Sequence, residues 1–167
     1  MSIAHFSTLF DYQYWANHRI ADAAARLTEE QRHARPFAID SIHVTLVHLV
    51  ATDWLWRQRR QGESPVSLPQ VAEISTFEDL LQRWAEEEAA MRAYLTTLSD
   101  ADLDRAVTYR TMSGQTWSQP VWQILAQMLN HGTQHRSEVA AMLTEMGASP
   151  GNLDFFVYLR ERPDVKG

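Results

Sequence analysis

Apolar residues return at helical spacing along four long stretches of this chain, and that period constrains its fold more than any other feature. In the first stretch, Ile3 to Leu27, the residues Ile3, Phe6, Phe10, Ala21 and Ala24 share a face with no Gly or Pro between them. One long amphipathic helix is predicted there. Thr28-Glu-Glu-Gln31 is a capping-box pattern that opens a short helical turn, closed by Pro36. Asp40 or Ser41 then caps a second long helix, running to about Arg60 and stopping before Gly62.

Gly62 to Ile74, with Pro65 and Pro69, is longer than a tight turn between helices requires, long enough to cross the molecule. Ser75-Thr-Phe-Glu78 is a second capping box. It precedes a third helix with Phe77, Leu80, Leu81, Trp84, Met91, Tyr94, Leu95 and Leu98 on one face, ending near Ser99, with Glu86, Glu87 and Glu88 on its solvated side. Ala106 to Thr111 and Gln115 to Trp117, around Ser113-Gly114, read as a small hairpin. Ser118, with Pro120 in the first turn, opens a fourth helix that reaches Met146 and ends at Gly147. The aromatic tail Asn152 to Arg160 docks on the rest. The expected fold class is therefore all-α, a helical bundle with a small β-hairpin before the last long helix, formed as a single domain over residues 1–167.

Composition narrows the chemistry. The chain of 167 residues contains no cysteine, which excludes thiolate zinc sites, iron–sulfur clusters and a Cys nucleophile. Imidazole and oxygen ligands remain. The formal net charge is -6, with basic residues scattered among acids, so the basic stripe of a nucleic-acid binder is missing. The longest apolar stretch, around Ile42 to Leu55, is broken by His43, His48 and Asp53 and is too short for a bilayer. The N-terminal residues lack the pattern of a secretory signal, and a cytoplasmic protein is expected. The six Trp are expected in core and dimer packing.

Of the seven histidines, His131 and His135 stand four residues apart on the fourth helix, so their rings lie about 40° apart and one turn along the axis. They share a largely apolar face with Ile124, Gln127, Met128, Glu138 and Met142. Two inward imidazoles need partners, since an unpaired buried polar group costs roughly 1 to 3 kcal/mol, and a shared cation satisfies both. On the second helix His48 also faces inward, among Val44, Thr45, Ala51, Thr52 and Leu55. His43 points about 140° from it and is expected at the rim or surface. His5, His18 and His33 are read as ordinary. Three inward imidazoles from two helices leave open coordination positions for water or substrate. Asn17 is an amide on an otherwise apolar face of the first helix; it either lines a polar pocket or ties two helices together.

Tyr14-Trp15-Ala16-Asn17, His48 followed by Trp54 and Trp56, Gly114-Gln115-Thr116-Trp117 and Asn130-His131-Gly-Thr-Gln-His135-Arg136 together resemble the DinB/YfiT-like family, over nearly the whole chain. The resemblance implies a four-helix bundle with an up-down-down-up course and a homodimer. It also implies a three-histidine site for zinc, nickel, iron or manganese, with His48, His131 and His135 as ligands. Several such relatives are thiol transferases or isomerases using bacillithiol, mycothiol or glutathione. The family often continues after the last ligand as His-Arg-Gly-Gln, whereas this chain reads His135-Arg136-Ser137-Glu138. Glu138 is thus a candidate to orient an imidazole, to act as acid or base, or to supply an oxygen ligand. A plain surface salt bridge is its alternative.

The expected function is a divalent-metal enzyme acting on a small electrophilic molecule with a low-molecular-weight thiol as co-substrate. Because the chain has no cysteine, the nucleophile must come from solution; if it is metal-bound water, the reaction is hydrolysis. A non-catalytic metal-binding stress-response protein is the third reading. A di-iron bundle is disfavoured, because only Glu30-Gln-Arg-His33 fits its Glu-x-x-His signature. A Ser137, His135, Asp53 triad lacks a nucleophile elbow.

Overall fold

The computed structural model describes residues 2–35 and 40–162. Within them are six α-helices and a two-stranded antiparallel hairpin. Helix α1 (Ile3–Ala25) starts at Ser2, whose hydroxyl accepts from the His5 amide while the His5 ring accepts from the Ser2 amide. Thr28 and Gln31 form the expected box on α2 (Glu29–His33); Pro36, the expected stop, lies outside the described residues. Ser41 caps α3 (Ile42–Arg60) by accepting from the Val44 amide.

Two helix starts differ from the sequence reading. Helix α4 (Phe77–Thr96) is capped by Thr76, which accepts from the Asp79 amide, rather than by Ser75. Helix α5 (Val121–Glu145) is preceded by Pro120 with no side-chain cap. Ser118 is unavailable because it belongs to β2 (Thr116–Pro120), where its hydroxyl accepts from Thr108 of β1 (Ala106–Arg110). The Val121 amide instead donates to the Arg105 carbonyl. At the other end Gly147 takes φ +74°, which lets the Ala148 amide reach back to the Leu143 carbonyl. Helix α6 (Phe155–Glu161) docks on α1, where the Tyr12 hydroxyl donates to the Leu153 carbonyl.

Helix α1 packs on α5 and α4, and α3 packs on α4 and α5. Their shared interior holds two apolar clusters. One gathers Ile20, Ala24, Ile42, Leu46, Leu80, Trp84, Val139 and Leu143. The other gathers Phe6, Phe10, Trp56, Met91, Leu95, Ile124, Leu125 and Met128. The connection after α3 links their neighbourhoods: Ser64 accepts from the Arg110 amide of the hairpin, while Ile74 is buried in the first cluster. Trp56 and Trp84 are core residues, whereas Trp117 and Trp122 are 51% and 39% exposed. No helix among the described residues is long and apolar enough to cross a membrane.

Between the two clusters each long helix contributes polar side chains: Gln13 and Asn17 from α1, His48 and Asp53 from α3, Glu87 from α4, and His131, His135 and Arg136 from α5. Glu87 corrects the expectation of a solvated acidic run. It is buried, and both its oxygens accept from Arg57 of α3, at 2.7 and 2.9 Å. Glu87 stands three residues after Trp84 and four before Met91, so the helix period turns it inward; its charge had argued for water, and the reach of Arg57 makes its burial tolerable.

Candidate metal centre

The four-residue spacing on α5 stacks His131 one turn from His135, and α3 brings His48 against both. Ring centroids are 5.1 Å apart for His48 and His131, 4.7 Å for His48 and His135, and 4.5 Å for His131 and His135. All three rings are half-buried, and one nitrogen from each lies within 4.8 Å of the others. The Nε2 atoms of His48 and His131 are 3.1 Å apart. Two imidazoles on one tetrahedral zinc, at bond lengths of about 2.0 to 2.1 Å, would place their nitrogens ~3.3 Å apart. The donor set therefore fits a divalent ion.

Protonation supports the same fit. Burial, reinforced by the charges His135 and His48 would carry, lowers the His131 pKa from 6.5 to about 4. Burial also lowers His48. Both rings are neutral at neutral pH and so offer lone pairs. Glu138 takes up a defined place: its carboxylate accepts from His135 Nδ1 at 2.6 Å. A proton on Nδ1 leaves the lone pair of that ring on Nε2. Beside the histidines opens a cleft of about 280 Å³ lined by Asp40, Val44, Thr45, His48, His135 and Glu138.

A model of the DinB family matches residues 1–164. The chain belongs to the DinB family. Protein DinB of Bacillus subtilis (strain 168) is 26% identical over 162 residues, covering 90% of this chain and 91% of its own. For a DinB family member, then, the histidines at 48, 131 and 135 form a group compatible with metal binding.

The remaining sequence candidates fall elsewhere. Asn17 is buried, and its Oδ1 accepts from Arg136 Nη1 at 3.2 Å, tying α1 to α5. Ser137 is exposed and donates to the Thr133 carbonyl, and His135 pairs with Glu138 rather than Asp53, so no triad assembles. Asp53 instead has its carboxyl pushed up to about 7 by burial and by the charge of Glu87. His43 is the clearest correction. It is fully buried, and its Nε2 donates to the Ile74 carbonyl at 2.8 Å, because α2 and the segment around Ile74 cover the side of α3 opposite His48. The sequence reading also missed Arg136, an inward cation whose pKa burial lowers to about 10. Its place on the helix wheel, about 20° from Leu125, Leu129 and Leu143, was the available signal.

Proposed function

We propose that this chain is a divalent-metal-dependent enzyme in which His48, His131 and His135 hold one zinc, nickel, iron or manganese ion, and which transfers a low-molecular-weight thiol to a small electrophilic molecule, or isomerises a thiol adduct. The observation that carries this reading is three imidazoles from two helices converging beside an open cleft. A divalent ion in such a site favours the deprotonated form of a thiol or water that reaches it, supplying a nucleophile at neutral pH.

The chain's own residues do the rest. Glu138 holds the proton of His135 at Nδ1 and fixes that ring. Val44 and Thr45 line the cleft, whose volume of about 280 Å³ suits a small molecule. Asn17 keeps Arg136 in place between α1 and α5. The chain contains no cysteine, so the attacking sulfur arrives with the co-substrate. With a haloalkane acceptor, a sulfur–carbon bond forms as halide leaves and the thiol proton passes to solvent.

The proposed architecture is a single-domain four-helix bundle running up-down-down-up, working as a homodimer in the cytoplasm. The course is supported by the order in which each helix meets the two apolar clusters. Helices α1 and α5 begin in the cluster of Phe6 and Ile124, whereas α3 and α4 begin in that of Ile42 and Leu80.

The test uses untagged protein, loaded with each metal and assayed against bacillithiol, mycothiol and glutathione with a panel of haloalkanes and epoxides. Thiol consumption should require the metal and vanish in His135→Ala. Turnover without thiol would make the protein a hydrolase, and metal binding with no turnover across the panel would leave a non-catalytic metal-binding protein.

A further inference from the structure

A second group of ligand-type side chains lies outside the site described above. Glu29 and His33 stand one turn apart on α2, and His43 faces them from α3, with ligand atoms all within 4.8 Å of one another. The His33 and His43 rings are 4.2 Å apart, centroid to centroid. His43 is fully buried, and its Nε2 proton is committed to the Ile74 carbonyl. Its Nδ1 is therefore a buried lone pair, and no described residue donates to it.

His33 does not supply the missing donor while it is neutral. Its Nε2 lies 2.9 Å from a Glu29 oxygen, an acceptor that keeps the single imidazole proton on that side. Each ring thus keeps one nitrogen lone pair, and ligand atoms of the two rings and the carboxylate lie within 4.8 Å of one another. Arg32, the neighbouring cation, is turned away: it binds the other Glu29 oxygen and the Ala24 and Leu27 carbonyls, and lies over the Phe77 ring. A buried imidazole nitrogen without a donor is costly, and a shared cation removes that cost.

We propose that Glu29, His33 and His43 form a second divalent-metal site, taking a borderline ion such as zinc or cobalt through two imidazoles and one carboxylate. Glu29 and His33 are exposed, so water completes the coordination from outside. The ion clamps α2 onto α3 and is independent of the ion held by His48, His131 and His135.

The test is zinc stoichiometry by elemental analysis after dialysis, with affinities from competition against a chelator. The wild-type protein should hold two equivalents, and His135→Ala one. The double variant Glu29→Gln/His33→Ala, which changes only exposed side chains, should also hold one, with the remaining equivalent lost on adding His135→Ala. Each exposed ligand changed alone should weaken the second equivalent at least ~10-fold. Matching far-UV circular dichroism checks that the variants are folded. One equivalent that survives Glu29→Gln/His33→Ala and disappears in His135→Ala overturns the second site, as does unchanged stoichiometry in the double variant, or no bound zinc at all. The opposite pattern, one equivalent lost only in the double variant, supports the second site while removing the first.

Discussion

The proton on His135 Nδ1 is the smallest feature on which the candidate site depends. Because it is donated to Glu138, the opposite nitrogen of the ring keeps its lone pair, and the ring cannot rotate without breaking a 2.6 Å charge-assisted bond. Removing the carboxylate leaves the ligands in place but frees that ring. Glu138→Gln should weaken zinc binding by about 10-fold, and Glu138→Ala by as much as ~100-fold, measured by chelator competition at fixed pH. Equal affinity in both variants and the wild type would mean that Glu138 makes only a surface pair. The inward direction of His48, His131 and His135 was legible in the sequence, since most of their neighbours at helical spacing are apolar. The partner of Glu138 was not. Its wheel position lay close to both His131 and His135, and only the side-chain geometry selects between an orienting bond and an exposed one.

Helix existence was written in period and punctuation, and Ser41, Thr28 and Gly147 mark their ends as expected. What covers each helix face was not written there. A wheel fixes His43 relative to His48 but says nothing about α2 and Ile74 arriving on the far side; it sets Glu87 on the face of Trp84 and Met91, but the partner that lets a carboxylate stay there, Arg57, belongs to a different helix. That pair now joins α3 to α4, and its two partners differ in exposure, with side chains 27% exposed for Arg57 and 4% for Glu87. The difference predicts an asymmetry. Arg57→Ala strands a buried carboxylate near Asp53 and should cost roughly 3 kcal/mol. Glu87→Gln leaves an arginine that can turn to solvent and removes a charge that adds to the effect of burial in raising Asp53, so it should cost only about 1 kcal/mol. Urea denaturation of the two variants at neutral pH gives the comparison, and equal losses would contradict the argument.

Across the whole molecule, two apolar clusters flank one polar layer, and neither cluster includes any of the proposed metal ligands. A domain of this size buries enough surface to fold without an ion, so chelation should leave the far-UV circular dichroism unchanged. The layer instead makes the metal-free protein sensitive to acid. His131 has its pKa lowered from 6.5 to about 4 by burial, and His48 is shifted in the same direction. The unfolded chain then takes up these protons at higher pH than the folded one, so the stability held above pH 6.5 falls progressively as pH drops toward 4. For His131 the full difference is on the order of 3 kcal/mol. Carboxylates also titrate in this window, and the comparison that isolates the ring is His131→Asn. Urea midpoints of the metal-free proteins between pH 7.5 and pH 4 should fall more steeply for the wild type than for the variant. Parallel slopes would mean that His131 remains as easily protonated in the folded protein as in water, and that the layer is wet rather than poised to exchange protons for a cation.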